Sequence, residues 1–228
     1  MTATSIRARV RAEMIGEIKE AARRHLAVDG SNLSLRAVAR DLGTASSALY
    51  RYFASRDDLL TALIIDAYTA LADAVEQADA AVARGDLRGR WFAACHAVRD
   101  WALANPHEYA LIYGSPVPGY HAPQDTVEPA TRPNIILAGI LADGVASGVV
   151  RVDPDERLPD PVYTDVKNLV DRAFPGAPPT MLARGLTAWI QLFGLVSFEL
   201  FGRLNNVIAD RAAYFDHQMA EMATLVGL

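Results

Sequence analysis

"SLRAVARDLGTASSALYRYFASRDDLL", running from Ser34 to Leu60, holds two short helical patterns and the start of a third. Ser34 stands at an N-cap position, Leu35, Val38 and Leu42 recur at helical spacing, and Gly43 supplies a stop. A very short helix is expected next, from about Ala45 to Phe53. Ser55 then caps a long one whose first turn holds Asp57 and Asp58, where the positive end of the helix dipole favours acids. Two helices that cross closely need a small residue at the crossing and a turn residue that tolerates left-handed backbone. Ala39 and Gly43, four apart, meet both needs. Val38, Leu42, Leu49 and Tyr52 are expected to lock the pair from inside. With Ala45, Leu49 and Tyr52 inward, the opposite face presents Ser46 with Tyr50, and Ser47 with Arg51. Such a face has the dimensions to enter a DNA major groove.

Outward from this stretch the chain reads as all-α. A first helix from about Ile6 to Val28 carries Val10, Met14, Ile18, Ala21, Ala22 and Leu26 at three- and four-residue steps, and Asp29-Gly30 ends it. The helix after Ser55 continues to about Arg84. "LRGRWFAACHAVRDWALANP" ends at Asn105 and Pro106, and "HEYALIYG" forms a short aromatic helix. The five prolines between Ser115 and Pro133 read as a long ordered loop or lid. Further helices are expected at about Asn134 to Ser147, Val162 to Ala173, Thr180 to Leu204 and Ala209 to Val226.

Half of the 228 residues are apolar, enough for a sizeable core. Cys95 is the one cysteine, which excludes an intrachain disulfide and a multi-cysteine zinc site, and it is expected as a small half-buried helix residue. The N-terminus does not look like a secretory signal. The apolar run from Ala188 to Phe201, interrupted by Gln191 and Glu199, is expected to be too short for a membrane span. A cytoplasmic protein without membrane contact is the expectation. Net charge is −5, yet residues 1 to 56 hold ten Lys or Arg against five acids, leaving twelve bases and twenty-two acids for the rest. That split suggests one end meets phosphate and the other does not.

The Ser34–Leu60 motif, with its "LYRYF" element and the Ser-Arg-Asp start of the following helix, resembles the DNA-binding domain of the TetR family of bacterial regulators. "TAWIQLFGLVSFELFG", Thr187 to Gly202, is similar to the Trp and Gly pattern in the eighth helix of one subgroup. The resemblance implies a three-helix helix-turn-helix domain at residues 1–56 and a helical effector-binding and dimerisation domain at 57–228. It implies that Arg36 reaches a base edge or phosphate, that Ser46, Ser47 and Arg51 contact bases, and that Tyr50 and Tyr52 contact the backbone. Arg56 would hold a phosphate beside the long helix, with Thr44 and Ala45 at the groove's edge. Thr44 departs from the aliphatic residue usual there, and Ser46 stands where members commonly carry lysine. Arg7, Arg9 and Arg11 are expected to compensate through an N-terminal arm.

A regulator of this kind pairs with itself on double-stranded operator DNA and hears a small-molecule effector, with no cofactor or metal. Leu186, Ile190, Gly194, Ser197, Phe198 and Phe201 are the expected homodimer face, being apolar or small on more than one side of a helix. Tyr68, Trp91, Phe92, Trp101, Tyr109, Tyr113, Tyr163 and Phe193 are the large residues that either line a ligand cavity or fill core. His96 is a candidate hydrogen-bonding partner for the ligand; His96, His107 and His121 lack metal-ligand spacing. Three functions fit to different degrees: a repressor released by a mostly apolar ligand, an activator or corepressor-dependent regulator of the same fold, and an all-helical enzyme. The enzyme lacks a catalytic constellation, because Glu108 beside His107 points away from it on a helix.

Overall fold

The computed structural model describes residues 3–29 and 33–228, with backbone alone at 3–5 and 29. Gly30, expected as a helix stop, lies outside the described residues. Among them every regular element is helical: α1 (Ala3–Asp29), α2 (Leu35–Asp41), α3 (Ser46–Leu49), α4 (Arg56–Ala80), α5 (Leu87–Ala104), α6 (Pro106–Tyr113), α7 (Val127–Ala146), α8 (Asp160–Ala173), α9 (Pro179–Leu200) and α10 (Arg211–Val226). The residues pack as two units. The first holds the described residues up to Ala70 together with Asn105–Ala130; the second holds Leu71–Ala104 and Thr131–Leu228.

The first unit is built around Ile18, Ala21, Ala22 and Leu26 of α1, with Val38 of α2, Leu49 of α3 and Leu59 and Leu60 of α4. Fully burying each leucine or isoleucine contributes about 1.5–3 kcal/mol. Val10, placed on the same stripe by periodicity, is 50% exposed, so coverage of α1 begins only at Met14. Leu42 and Tyr52 are half-buried at the edge of this core. Ser34 occupies the N-cap of α2 in extended backbone but makes no side-chain capping bond. Ser55 does cap α4, accepting from the Asp58 N–H at 3.0 Å.

The proline-rich stretch corrects the sequence reading. Only 114–123 is loop; a 3₁₀ turn at Gln124–Thr126 leads into α7, which starts seven residues before the expected Asn134 and contains Pro129 and Pro133. Pro129 sits in the first turn, where a helix has no partner for its N–H groups, and Pro133 removes one interior bond. The loop is anchored rather than free: Val117 and Tyr120 pack on the first unit's core, and the Tyr120 and Thr61 hydroxyls are 2.9 Å apart.

In the second unit, Arg90 of α5 is 1% exposed and gives Nε to Asp79 and Nη1 to Asp143, each at 2.7 Å. Hydrogen bonds to these two acids hold the Arg90 proton more tightly than usual, against the cost of its burial. Trp91 Nε1 donates to the Met219 carbonyl at 3.0 Å. α8 lays Val166 and Val170 against Leu182 of α9. Cys95 is fully buried rather than half-buried, and desolvation pushes its thiol pKa far up. The 22-residue α9, expected to fall short of a span, is long and apolar enough to cross a membrane by length and composition. Here eight of its residues are buried, and its Glu199 takes a two-point bond from Arg99 of α5 at 2.8 and 2.7 Å.

Candidate nucleic-acid interface and ligand cavity

Backbone chemistry shapes the first site. Gly43 has φ +62°, and its N–H bonds the Arg40 carbonyl at 3.1 Å while the Thr44 N–H bonds that of Ala39 at 2.9 Å. This paired closure stops α2 and redirects the chain into α3. Ala39, 1% exposed, lies at the buried crossing, as its size allows. α3 has one helical turn; the expected extension to Phe53 is made of turns, including Tyr52 N–H to the Leu49 carbonyl at 2.8 Å.

Arg36, Thr44, Ala45, Ser47, Tyr50 and Arg51 are exposed together on this hairpin, and Ser46 is half-buried. Tyr52 and Arg56 are held by the protein itself. The Arg11 guanidinium lies 5.2 Å from the Tyr52 ring centre, and Arg56 Nε donates to the Leu33 carbonyl at 3.0 Å. Arg7, Arg9 and Arg11 belong to α1, which is helical from Ala3, so the described chain offers no extended arm there. Asp41, the acid nearest the turn on α2, is 2.8 Å from Arg24, whose hydrogen bond lowers the carboxyl pKa. Its negative charge is thereby offset on a surface that would face phosphate.

The second unit contains a cavity of about 880 Å³. Its walls are the inner face of α7 with Leu137 and Leu141, the α8–α9 connection with Phe174, and Met181, Leu186 and Trp189 of α9. Trp91 is the one expected ligand residue on its lining, and the expected dimer residue Leu186 lies there too. The other large residues go elsewhere. Tyr68, Tyr109 and Tyr113 cluster in the first unit, with ring centres 5.9 Å apart for Tyr68–Tyr113 and 5.1 Å for Tyr109–Tyr113. Burial raises the pKa of Tyr68 and Tyr113. Phe92 sits under the Arg88 guanidinium at 5.6 Å, and Phe193 packs on Trp189 at 5.8 Å. His96 Nε2 is 3.0 Å from Asp216 Oδ1, Trp101 is half-buried, and Tyr163 is exposed on α8. Sequence reasoning missed α7 as a cavity wall because its prolines masked its first two turns. The apolar spacing of Leu137, Leu141 and Val145 was the available signal.

On α9 and at its C-cap, the expected interface residues Ile190, Gly194, Phe198 and Phe201 recur at three- and four-residue steps and are all exposed, Ile190 by 62% and Phe198 by 56%; Ser197 is half-buried.

Residues 18–63 match the family described as bacterial regulatory proteins, tetR family, and residues 91–222 match the tetracyclin repressor-like C-terminal domain. The chain belongs to the TetR family of transcriptional regulators, a class of DNA-binding dimers and not a class of enzymes. It is 40% identical over 212 residues to the HTH-type transcriptional regulators Rv1816 of Mycobacterium tuberculosis and Mb1846 of Mycobacterium bovis, covering 91% of this chain and 90% of each relative. The crystal structure of SCO4313, assigned as a regulatory protein, aligns with TM-score 0.80 and 36% identity over 95% of this chain and 98% of that one. The TetR family regulator PfmR of Thermus thermophilus shares the fold at TM-score 0.59 and 19% identity, over 92% and 96% of the two chains.

Proposed function

We propose that the protein is a cytoplasmic transcriptional repressor that binds a palindromic operator as a homodimer and is released by a small, mostly apolar ligand in the cavity of the second unit. Residues 1–56 read DNA, and 57–228 bind the effector and dimerise. The observation that carries the reading is the Gly43-hinged hairpin with Arg36, Ser47, Tyr50 and Arg51 all exposed on it. Arginine suits guanine O6 and N7, and the hydroxyl residues suit bases or phosphates. One short recognition helix makes too few contacts for specificity, so two are needed about one helical turn of DNA apart, roughly 34–36 Å. The exposed stripe on α9 supplies a face for that pairing. A ligand that binds better to a splayed dimer changes this spacing and releases DNA in proportion to its differential affinity.

The test is a mobility-shift titration against the DNA upstream of the protein's own gene. Arg51→Ala is expected to weaken specific binding by about tenfold or more, consistent with the loss of one good base contact. Unchanged binding in that variant removes Arg51 from the interface and counts against the assignment.

A further inference from the structure

The recognition hairpin is too short to hold its own shape. α3 is one helical turn, and Arg51 and Tyr52 follow it in turns, where the last carbonyls of a helix lack helical partners. On α1, Arg11, Ile15, Ile18 and Ala22 recur at four- and three-residue steps, so Arg11 continues the inward stripe one turn beyond the core, though it remains exposed. Its Nη1 donates to the Arg51 carbonyl at 3.4 Å, and its guanidinium carbon lies 5.2 Å from the Tyr52 ring centre. Tyr52 is itself half-buried against the first unit's core. No acid stands three or four residues from Arg11 on α1, where Arg7, Ala8, Met14 and Ile15 are found, so its own helix does not draw the charge aside. Planar and always charged, a guanidinium can stack by its face and donate by its edge at once.

We infer that Arg11 is a positioning residue for DNA recognition: held on both the Tyr52 ring and the Arg51 carbonyl, it fixes the backbone from which the Arg51 side chain reaches a base, and it does not itself bind phosphate. This rests on the hairpin being the DNA-reading surface. A phosphate contact and a clamp have different signatures. Phosphate contacts add affinity for any duplex and steepen its dependence on salt, whereas orientation of a base-contacting side chain adds affinity for one sequence.

Mobility-shift titrations of the full chain at several salt concentrations, against the DNA upstream of its own gene and against a shuffled duplex of equal length, separate the two. Arg11→Gln is expected to weaken binding to the upstream DNA by about fivefold or more, leave the shuffled duplex within about twofold and keep the parental salt slope. Tyr52→Leu, checked by thermal unfolding, is expected to give the same loss, and the double variant no more than either alone, because each residue acts through the other. Tyr52→Phe, which returns the ring face, is expected to recover most of that loss. Parental affinity in Arg11→Gln, additive losses in the double variant, or weakening of both duplexes with a slope flatter by about 1.8 overturns the inference and leaves the hairpin a DNA surface. No preference of the parent protein for the upstream DNA overturns the proposed function along with it.

Discussion

A Cβ at position 43 would find open space but the wrong backbone, because φ of +62° is strained for any residue with a side chain. Gly43→Ala is therefore expected to destabilise the hairpin by about 1–2 kcal/mol through backbone strain. A lowered melting temperature together with unchanged helicity by circular dichroism would show it; an unchanged melting temperature would show that the turn relaxes. This part of the site was legible in sequence because turn closure depends on a few adjacent residues, and the Ala39–Gly43 spacing falls between two short helical patterns with apolar residues placed to lock them. The roles of Tyr52 and Arg56 were less legible. Their partners, Arg11 and the Leu33 carbonyl, lie far along the chain and no spacing rule names them.

At the scale of elements, α9 is read on several faces. It buries Leu192 and Val196, pairs Glu199 with Arg99, and exposes Ile190, Phe198 and Phe201. Phe198→Glu on the exposed stripe is expected to leave folding near parental and shift the protein from dimer to monomer at micromolar concentration. Sedimentation velocity reads this directly, and an intact dimer would exclude the stripe from the interface. A charge on a face that meets its own symmetry copy is doubly unfavourable, since each substitution appears twice. The helical periodicity of α9 was plain from its residues. The start of α7 was not, because Pro129 and Pro133 are local stop signals overridden here by position in the first turn and by burial of Pro133. The cavity was hidden for a related reason: its walls come from α5, α7, α8, the α8–α9 connection and α9, and only the fold brings them together. The tyrosines of α4 and α6, equally plausible as lining by composition, pack on one another instead.

For the molecule as a whole, the separation of charge predicts how binding depends on salt. If Arg36 of each protomer neutralises one phosphate, the logarithm of affinity should fall against the logarithm of salt with a slope of about −1.8 or steeper. A slope near zero would mean that the basic half does not track the DNA backbone. Much of that half is already engaged: Lys19 and Arg23 both bond Asp66 of α4, at 2.8 and 3.0 Å, so a count of cations overstates what the surface offers. The single thiol has a practical consequence. Cys95 is deep within α5 and resistant to ionisation, which leaves the surface free of competing sulfur chemistry. A cysteine introduced at exposed Ser47 would take a maleimide fluorophore or a nitroxide alone, without prior removal of the native residue, and would turn the recognition helix into its own spectroscopic ruler.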